Sequence, residues 1–151
     1  MTDFKRPVSV LVVIYTPTFQ VLLLERASHP GYWQSVTGSQ ENGESLIETA
    51  RREVEEETGI VARHTDIKDW QTTNTFEIFS EWRYRYAPGV THNTEHVFSL
   101  EIPEEHTVRL APDEHLDQCW LPWREAAEKC FSWSNRNAIL TLGEWTSSPT
   151  R

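Results

Sequence analysis

Cysteine is scarce: the 151 residues hold two, Cys119 and Cys130. They form neither a CxxC pair nor a zinc-ligand spacing, which argues against a disulfide-stapled scaffold and a structural zinc site, and both read as core thiols. Bases are also few, with 14 Lys and Arg against 23 Asp and Glu and a formal net charge of −9. Nucleic-acid backbones and anionic membranes repel such a chain, so it is not expected to bind either in general. An anionic substrate must then be met by local bases and by metal. No apolar run is long enough to span a bilayer, and the amino-terminal "MTDFKRPVSV" lacks a signal-peptide pattern, so a cytoplasmic location is expected. Repeats and low-complexity stretches are missing too. The length suits a single domain over residues 1–151 with a sizeable core.

What is present alternates between sheet and helix. "VSVLVVIY" is a β-branched apolar run, as in a strand covered on both faces. A turn at Thr16 and Pro17 leads to "FQVLLLE" as the next strand, and "WQSVTG" reads as a short third one. "FEIFSEWRYRYAP" and "THNTEHVFSLEIP" read as two long strands joined near Pro88 and Gly89, and another strand falls near "QCWLP". In the first of these, alternation sends Arg83 and Arg85 to one side and Trp82, Tyr84 and Tyr86 to the other, which gives one amphipathic strand. Two helices follow, over 123–130 and 135–145, with Ser134 as a cap for the second. Sheet pieces between an earlier helix and these later ones predict an α/β/α sandwich.

That earlier helix is the unusual one. In "GSQENGESLIETARREVEEETGI", Ser45 and Glu48 make a capping box and Gly59 supplies the stop, so the helix runs from Leu46 to Thr58. At about 100° per residue, Leu46, Ile47, Ala50 and Val54 share one arc, and Glu53 and Glu57 fall at its edge or inside it. Glu56 flanks them one turn from Glu53. Arg51, Glu48 and Glu55 point elsewhere, as solvated charges do. Carboxylates at i, i+3 and i+4 repel one another, and an apolar surface beside them adds a desolvation cost. A hard divalent cation that takes oxygen ligands relieves both, and Mg2+ is the natural candidate. The preceding "GSQENGE" is a loop able to approach a ligand closely.

Gly38, Glu44, Arg52, Glu53, Val54, Glu56, Glu57, Gly59 and Ile60 stand at the spacing of the box of the Nudix hydrolases, a family this sequence resembles at every defined position over residues 38–60. The resemblance implies a Nudix fold with a mixed central β-sheet, and attack of a metal-activated water on a phosphate anhydride. Mg2+ is the implied cofactor, with Mn2+ as a possible substitute. Glu53 and Glu57 are the expected first ligands, and Glu56 a third ligand or the base that takes the proton from water. An Arg52–Glu44 ion pair is expected to fix the loop on the helix. A further acid from a distant loop is sought in "LAPDEHLDQCWLP", where Glu114 is favoured over Asp113 and Asp117.

The box does not name the substrate. "KRPVSVLVVIY", "YWQSVTGS", "FEIFSEWRYRYAPGVTHNTEH" and "SWSNRNAI" resemble the branch of the family that cleaves 7,8-dihydroneopterin 3'-triphosphate to the monophosphate and pyrophosphate in tetrahydrofolate biosynthesis. Lys5, Arg26 and Arg83 offer positive charge to a triphosphate. The resemblance places these three, with Thr37, Gly38, Ser80, Glu81, Trp82 and Ser132, along the substrate pocket. A nucleotide-pool hydrolase acting on ordinary or oxidised (d)NTPs is the alternative, because pterin and guanine share a pyrimidinone edge. Of the seven tryptophans, Trp70, Trp120 and Trp145 read as core, whereas Trp33, Trp82 and Trp133 lie near proposed site segments and are candidates to stack on a flat heterocycle. Oligomeric state leaves no mark in the sequence.

Overall fold

The run at Val8–Tyr15 forms β1, and its two faces go to two different cores. Val10, Val12 and Ile14 join one buried cluster with Ala50 and Val54 of α1 (Leu46–Thr58). Leu11, Val13 and Tyr15 join a second with Ala126, Ala138 and Ile139, from α2 (Trp123–Lys129) and α3 (Trp133–Glu144). Period-two alternation along an all-apolar strand therefore seats a helix layer on each side. This computed structural model describes residues 4–145, so residues 1–3 and 146–151 of the expected domain lie outside the described residues.

The remaining strands are β2 (Gln20–Arg26), β3 (Trp33–Gln34), β4 (Val36–Ser39), β5 (Ile67–Glu77), β6 (His92–Glu101) and β7 (His115–Pro122). The sheet runs β3-β2-β1-β6-β5, with β4 also pairing β1 and β7 also pairing β2. The β1–β6 pair is parallel and the others antiparallel, so the sheet is mixed, as expected. Helix α1 keeps its expected ends. Ser45 Oγ accepts from the Glu48 N–H at 3.3 Å, Glu48 Oε1 accepts from the Ser45 N–H at 2.9 Å, and Gly59 closes the helix at φ 79°.

Four expectations are corrected. "WQSVTG" is two short strands that break at Ser35, whose N–H donates to Asn135 Oδ1 rather than to a strand neighbour. The stretch "SEWRYR" is no strand: it winds into a 3-10 turn over Ser80–Arg85, flanked by bonds from Trp82 N–H to the Phe79 carbonyl and from Tyr86 N–H to the Arg83 carbonyl. The strand before it starts nine residues earlier than Phe76 because antiparallel pairing with β6 recruits the polar run from Ile67. The cap of α3 is Ser132, whose Oγ accepts from the Asn135 N–H at 3.2 Å, while Ser134 is buried in the first turn.

Candidate active site

Strand β4 and helix α1 bring the box together. Glu53 and Glu57 lie on the inner face of α1 at 8% and 2% exposure, against the β4 backbone. A Cβ added at Gly38 would fall on the Glu53 carboxyl group, so glycine is required there by close approach. The Thr37 N–H donates to Glu57, whose Oε1 has no protein partner among the described residues. Burial pushes the Glu57 carboxyl well up, helped by a hydrogen bond shared with Glu53 and by the charges of Glu53 and Glu114. Burial also raises Glu53, against the pull of Arg52. His115 Nε2 stands 3.7 Å from Glu57 Oε1, beyond hydrogen-bond reach. Burial drives the imidazole down to about 4, which leaves it neutral near pH 7 and unable to balance these acids. A buried carboxylate oxygen without a donor, in a cluster of like charges, fits a hard divalent cation.

Arg52 fixes the loop as the box implied. Its Nε donates to Glu44 Oε2 at 2.6 Å, its Nη2 to Glu44 Oε1 and the Ser39 carbonyl at 3.0 Å each, and its Nη1 to Glu53 and Glu56. Those bonds, with the Glu41 N–H and the Thr49 hydroxyl, hold the Glu44 carboxyl at about 2. Glu56 is half exposed at the cavity wall, and Glu114 lies across from the helix on the loop before β7, with Asp113 beside it. Asp117 lies within β7, paired with Glu25, and lines neither cavity. Among the described residues no three of these acids are grouped as metal ligands, and Arg52 pairs with both Glu53 and Glu56.

Two cavities share one wall. The acidic one, about 820 Å³, holds Glu53, Glu56, Glu57 and Glu114. The other, about 370 Å³, is walled by Phe79, Trp82, Phe131 and Trp133. Lys5, Arg26 and Arg85 line both and stand where they meet, with Thr37 and Gly38. Arg26 donates to Gln34 Oε1 at 3.0 Å, and its guanidinium lies 4.7 Å from the Trp82 ring centre. Burial and mutual repulsion lower the Lys5 ammonium below its usual range, so this trio is short of an anion.

Of the expected pocket residues, Lys5, Arg26, Thr37, Gly38, Trp82 and Ser132 line these cavities. Ser80 lines neither, and Glu81 instead pairs with His29 at 2.8 Å. Arg83 is turned away: its Nε donates to the Ile78 carbonyl at 3.0 Å and its Nη2 to Glu77 at 2.7 Å. The period of three in a 3-10 turn parts Arg83 from Arg85, which a period of two had put together. Arg85 takes the place expected of Arg83. Trp33 lines neither cavity and packs under Lys129. Trp70, Trp120 and Trp145 pack against the two cores as expected, partly buried.

A NUDIX domain profile matches residues 5–142. The chain belongs to the Nudix family. Two relatives named dihydroneopterin triphosphate diphosphatase are similar to this Nudix protein along most of their lengths. The Escherichia coli (strain K12) protein is 52% identical over 139 residues, 90% of this chain and 91% of its own. The Haemophilus influenzae protein is 44% identical over 142 residues, 92% and 89% of the two chains. The solved structure of the E. coli dihydroneopterin triphosphate pyrophosphohydrolase superposes with a TM-score of 0.86 at 49% identity, covering 93% of this chain and 97% of that one. A Nudix hydrolase of this kind works with a divalent cation.

Proposed function

We propose that the chain hydrolyses 7,8-dihydroneopterin 3'-triphosphate to dihydroneopterin monophosphate and pyrophosphate, as a step of tetrahydrofolate biosynthesis in the cytoplasm. The observation that carries this reading is the shared wall of bases: a triphosphate crosses from the aromatic cavity, which suits a flat heterocycle, to the acidic one, which suits metal. The names of relatives that match about nine-tenths of this chain agree with it. Residues 1–151 are read as one Nudix domain, and no helix among the described residues is long and apolar enough to cross a membrane.

Glu53 and Glu57, with Glu56 and Glu114 at the cavity wall, would hold Mg2+, with Mn2+ as a possible substitute. When bound, the cation supplies Lewis acidity that acidifies water and draws charge from the phosphoryl oxygens. Lys5, Arg26 and Arg85 hold the triphosphate across the junction and neutralise the leaving pyrophosphate. Glu56, half exposed and one turn from Glu53, is either the third ligand, direct or through water, or the base that takes the proton of the attacking water. The water oxygen bonds to phosphorus, the bridging P–O bond between the α and β phosphates breaks, and its electron pair leaves with pyrophosphate. Glu44 and Arg52 touch no reacting atom and position Glu53.

The test is kcat/KM with Mg2+ for dihydroneopterin triphosphate beside a panel of (d)NTPs, with pyrophosphate quantified. A preference for the pterin of about tenfold or more, worth about 1.4 kcal/mol at the transition state, is expected. Equal or better turnover of a nucleotide would move the function to nucleotide-pool housekeeping.

A further inference from the structure

The floor of the aromatic cavity changes character along the strands. On β6, Val97 faces the apolar core of α2 and α3, and the next residues on that face are Glu95 and Asn93, both buried. On β1 the same face runs from Leu11 to Ser9, which pairs with Glu95. On β5 it carries Asn74, which pairs with Glu95, and Phe76, which pairs with Asn93. A sheet face buried under a helix has thus become polar at one end, where the cavity lies.

This polar pit is short of donors. Glu95, 5% exposed, is hydrogen-bonded by Ser134 and Asn74, yet its Oε1 has no partner among the described residues. Asn93, 3% exposed, donates through Nδ2 to Ser9 Oγ at 2.7 Å, and its Oδ1 is likewise unpartnered. A carboxylate accepts about four hydrogen bonds, so two places remain on Glu95. Burying acceptors without partners is costly, which marks the site as built for a ligand that brings donors.

We propose that Glu95 and Asn93 read the amino-pyrimidinone edge of the substrate's heterocycle, Glu95 accepting from the ring N–H and the exocyclic amine side by side, and Asn93 from the amine's second hydrogen. This rests on the substrate reading above and adds which edge of the ring is recognised. Burial raises the Glu95 carboxyl, so incoming donors relieve a group the fold holds at a disadvantage. Two parallel donors are present in a 2-amino-4-oxo pterin and in guanine. Adenine sets an acceptor beside its amine, uracil and thymine carry one N–H between two carbonyls, and hypoxanthine has the N–H without the amine. Leaving a buried acceptor unmatched is a strong basis for rejecting such rings.

The experiment compares GTP with ITP, which differ only in the 2-amino group, beside dihydroneopterin triphosphate. It uses wild type, Glu95→Gln and Glu95→Asp; where nucleotide turnover is slow, competitive inhibition constants against the pterin replace kcat/KM. Wild type is expected to favour GTP by about 10- to 100-fold, the range for one hydrogen bond to a charged group. Glu95→Gln, whose amide offers a donor where an acceptor is needed, should bring that ratio within about threefold of one. A wild-type ratio near one overturns the assignment. So does an unchanged ratio in a Glu95→Gln protein whose thermal unfolding matches wild type. Should Glu95→Gln fail to fold, the wild-type ratio and the shorter carboxylate of Glu95→Asp decide. A wild type that prefers a nucleotide to the pterin but still rejects ITP would overturn the substrate reading and uphold the role of Glu95.

Discussion

The Glu53 carboxyl occupies the space in which any side chain at residue 38 would sit. Gly38→Ala should therefore displace Glu53 and cut kcat by about 100-fold or more, the scale set by about 1 Å of misplacement at a reacting centre, with circular dichroism near wild type. Glu57 is the sharper case. It is a buried carboxylate that burial pushes well up, so Glu57→Gln removes an acid the metal-free fold does not favour ionised. Hydrolysis should be lost while the midpoint of thermal unfolding stays level or rises; unchanged turnover would refute the metal role. The two arginines of the 3-10 turn separate cleanly. Arg85→Met should raise KM about tenfold or more, having lost one charge-assisted contact with phosphate, whereas Arg83→Met should stay within about threefold.

Helix α1 and the loop ahead of it act as one element, clipped by Arg52 and Glu44. Glu44 sits at about 2 in the folded chain against an ordinary 4.5, a depressed carboxylate. The fold gains from its ionised form above 4.5 and loses that gain as the pH falls toward 2. A plot of unfolding midpoint against pH should be shallower over that acid limb in Glu44→Gln than in wild type. This element was legible in the sequence because its signals are local: a capping box, a stop glycine, and carboxylates placed on an apolar arc. Strand β1 was legible for the same reason. Strand β5 was not, since "IKDWQTTNT" has no apolar alternation, only Ile67 and Trp70 being apolar, and its strand pairs with β6. The 3-10 turn was misread because three aromatics and two arginines alternate by chance with the period of a strand. Of the candidate site, Glu53, Glu56 and Glu57 stand in one contiguous stretch, whereas Glu114 reaches the same cavity from the loop before β7. Arg85, Phe79, Phe131 and the Asn93–Glu95 floor were not legible, because tertiary pairing alone brings them to the aromatic cavity.

For the molecule as a whole, metal and fold are linked. A cation that binds the folded site and not the open chain stabilises by about 2.7 kcal/mol at a hundred times its Kd. For about 150 residues that corresponds to roughly 5–10 °C in the unfolding midpoint. Differential scanning fluorimetry with Mg2+ or Mn2+ should show such a rise in wild type, and chelation should reverse it. Glu57→Gln should show little shift, in an assay that needs no turnover.

The parallel pairing of β1 with β6 has a consequence in time as well as in space. Ser9 and Asn93, hydrogen-bonded at the cavity floor, are 84 positions apart in the chain. During synthesis β1, apolar on both faces, is made before its parallel neighbour β6 and before α2 and α3, which cover one of those faces. Contacts of such sequence separation form slowly, since the intervening loop must close before they are rewarded. Until those segments are made, the face of β1 that α2 and α3 cover in the finished fold stays open, an aggregation hazard for the nascent chain. Yield in the cell should depend on chaperone capacity and growth temperature more steeply than the stability of the finished protein would indicate.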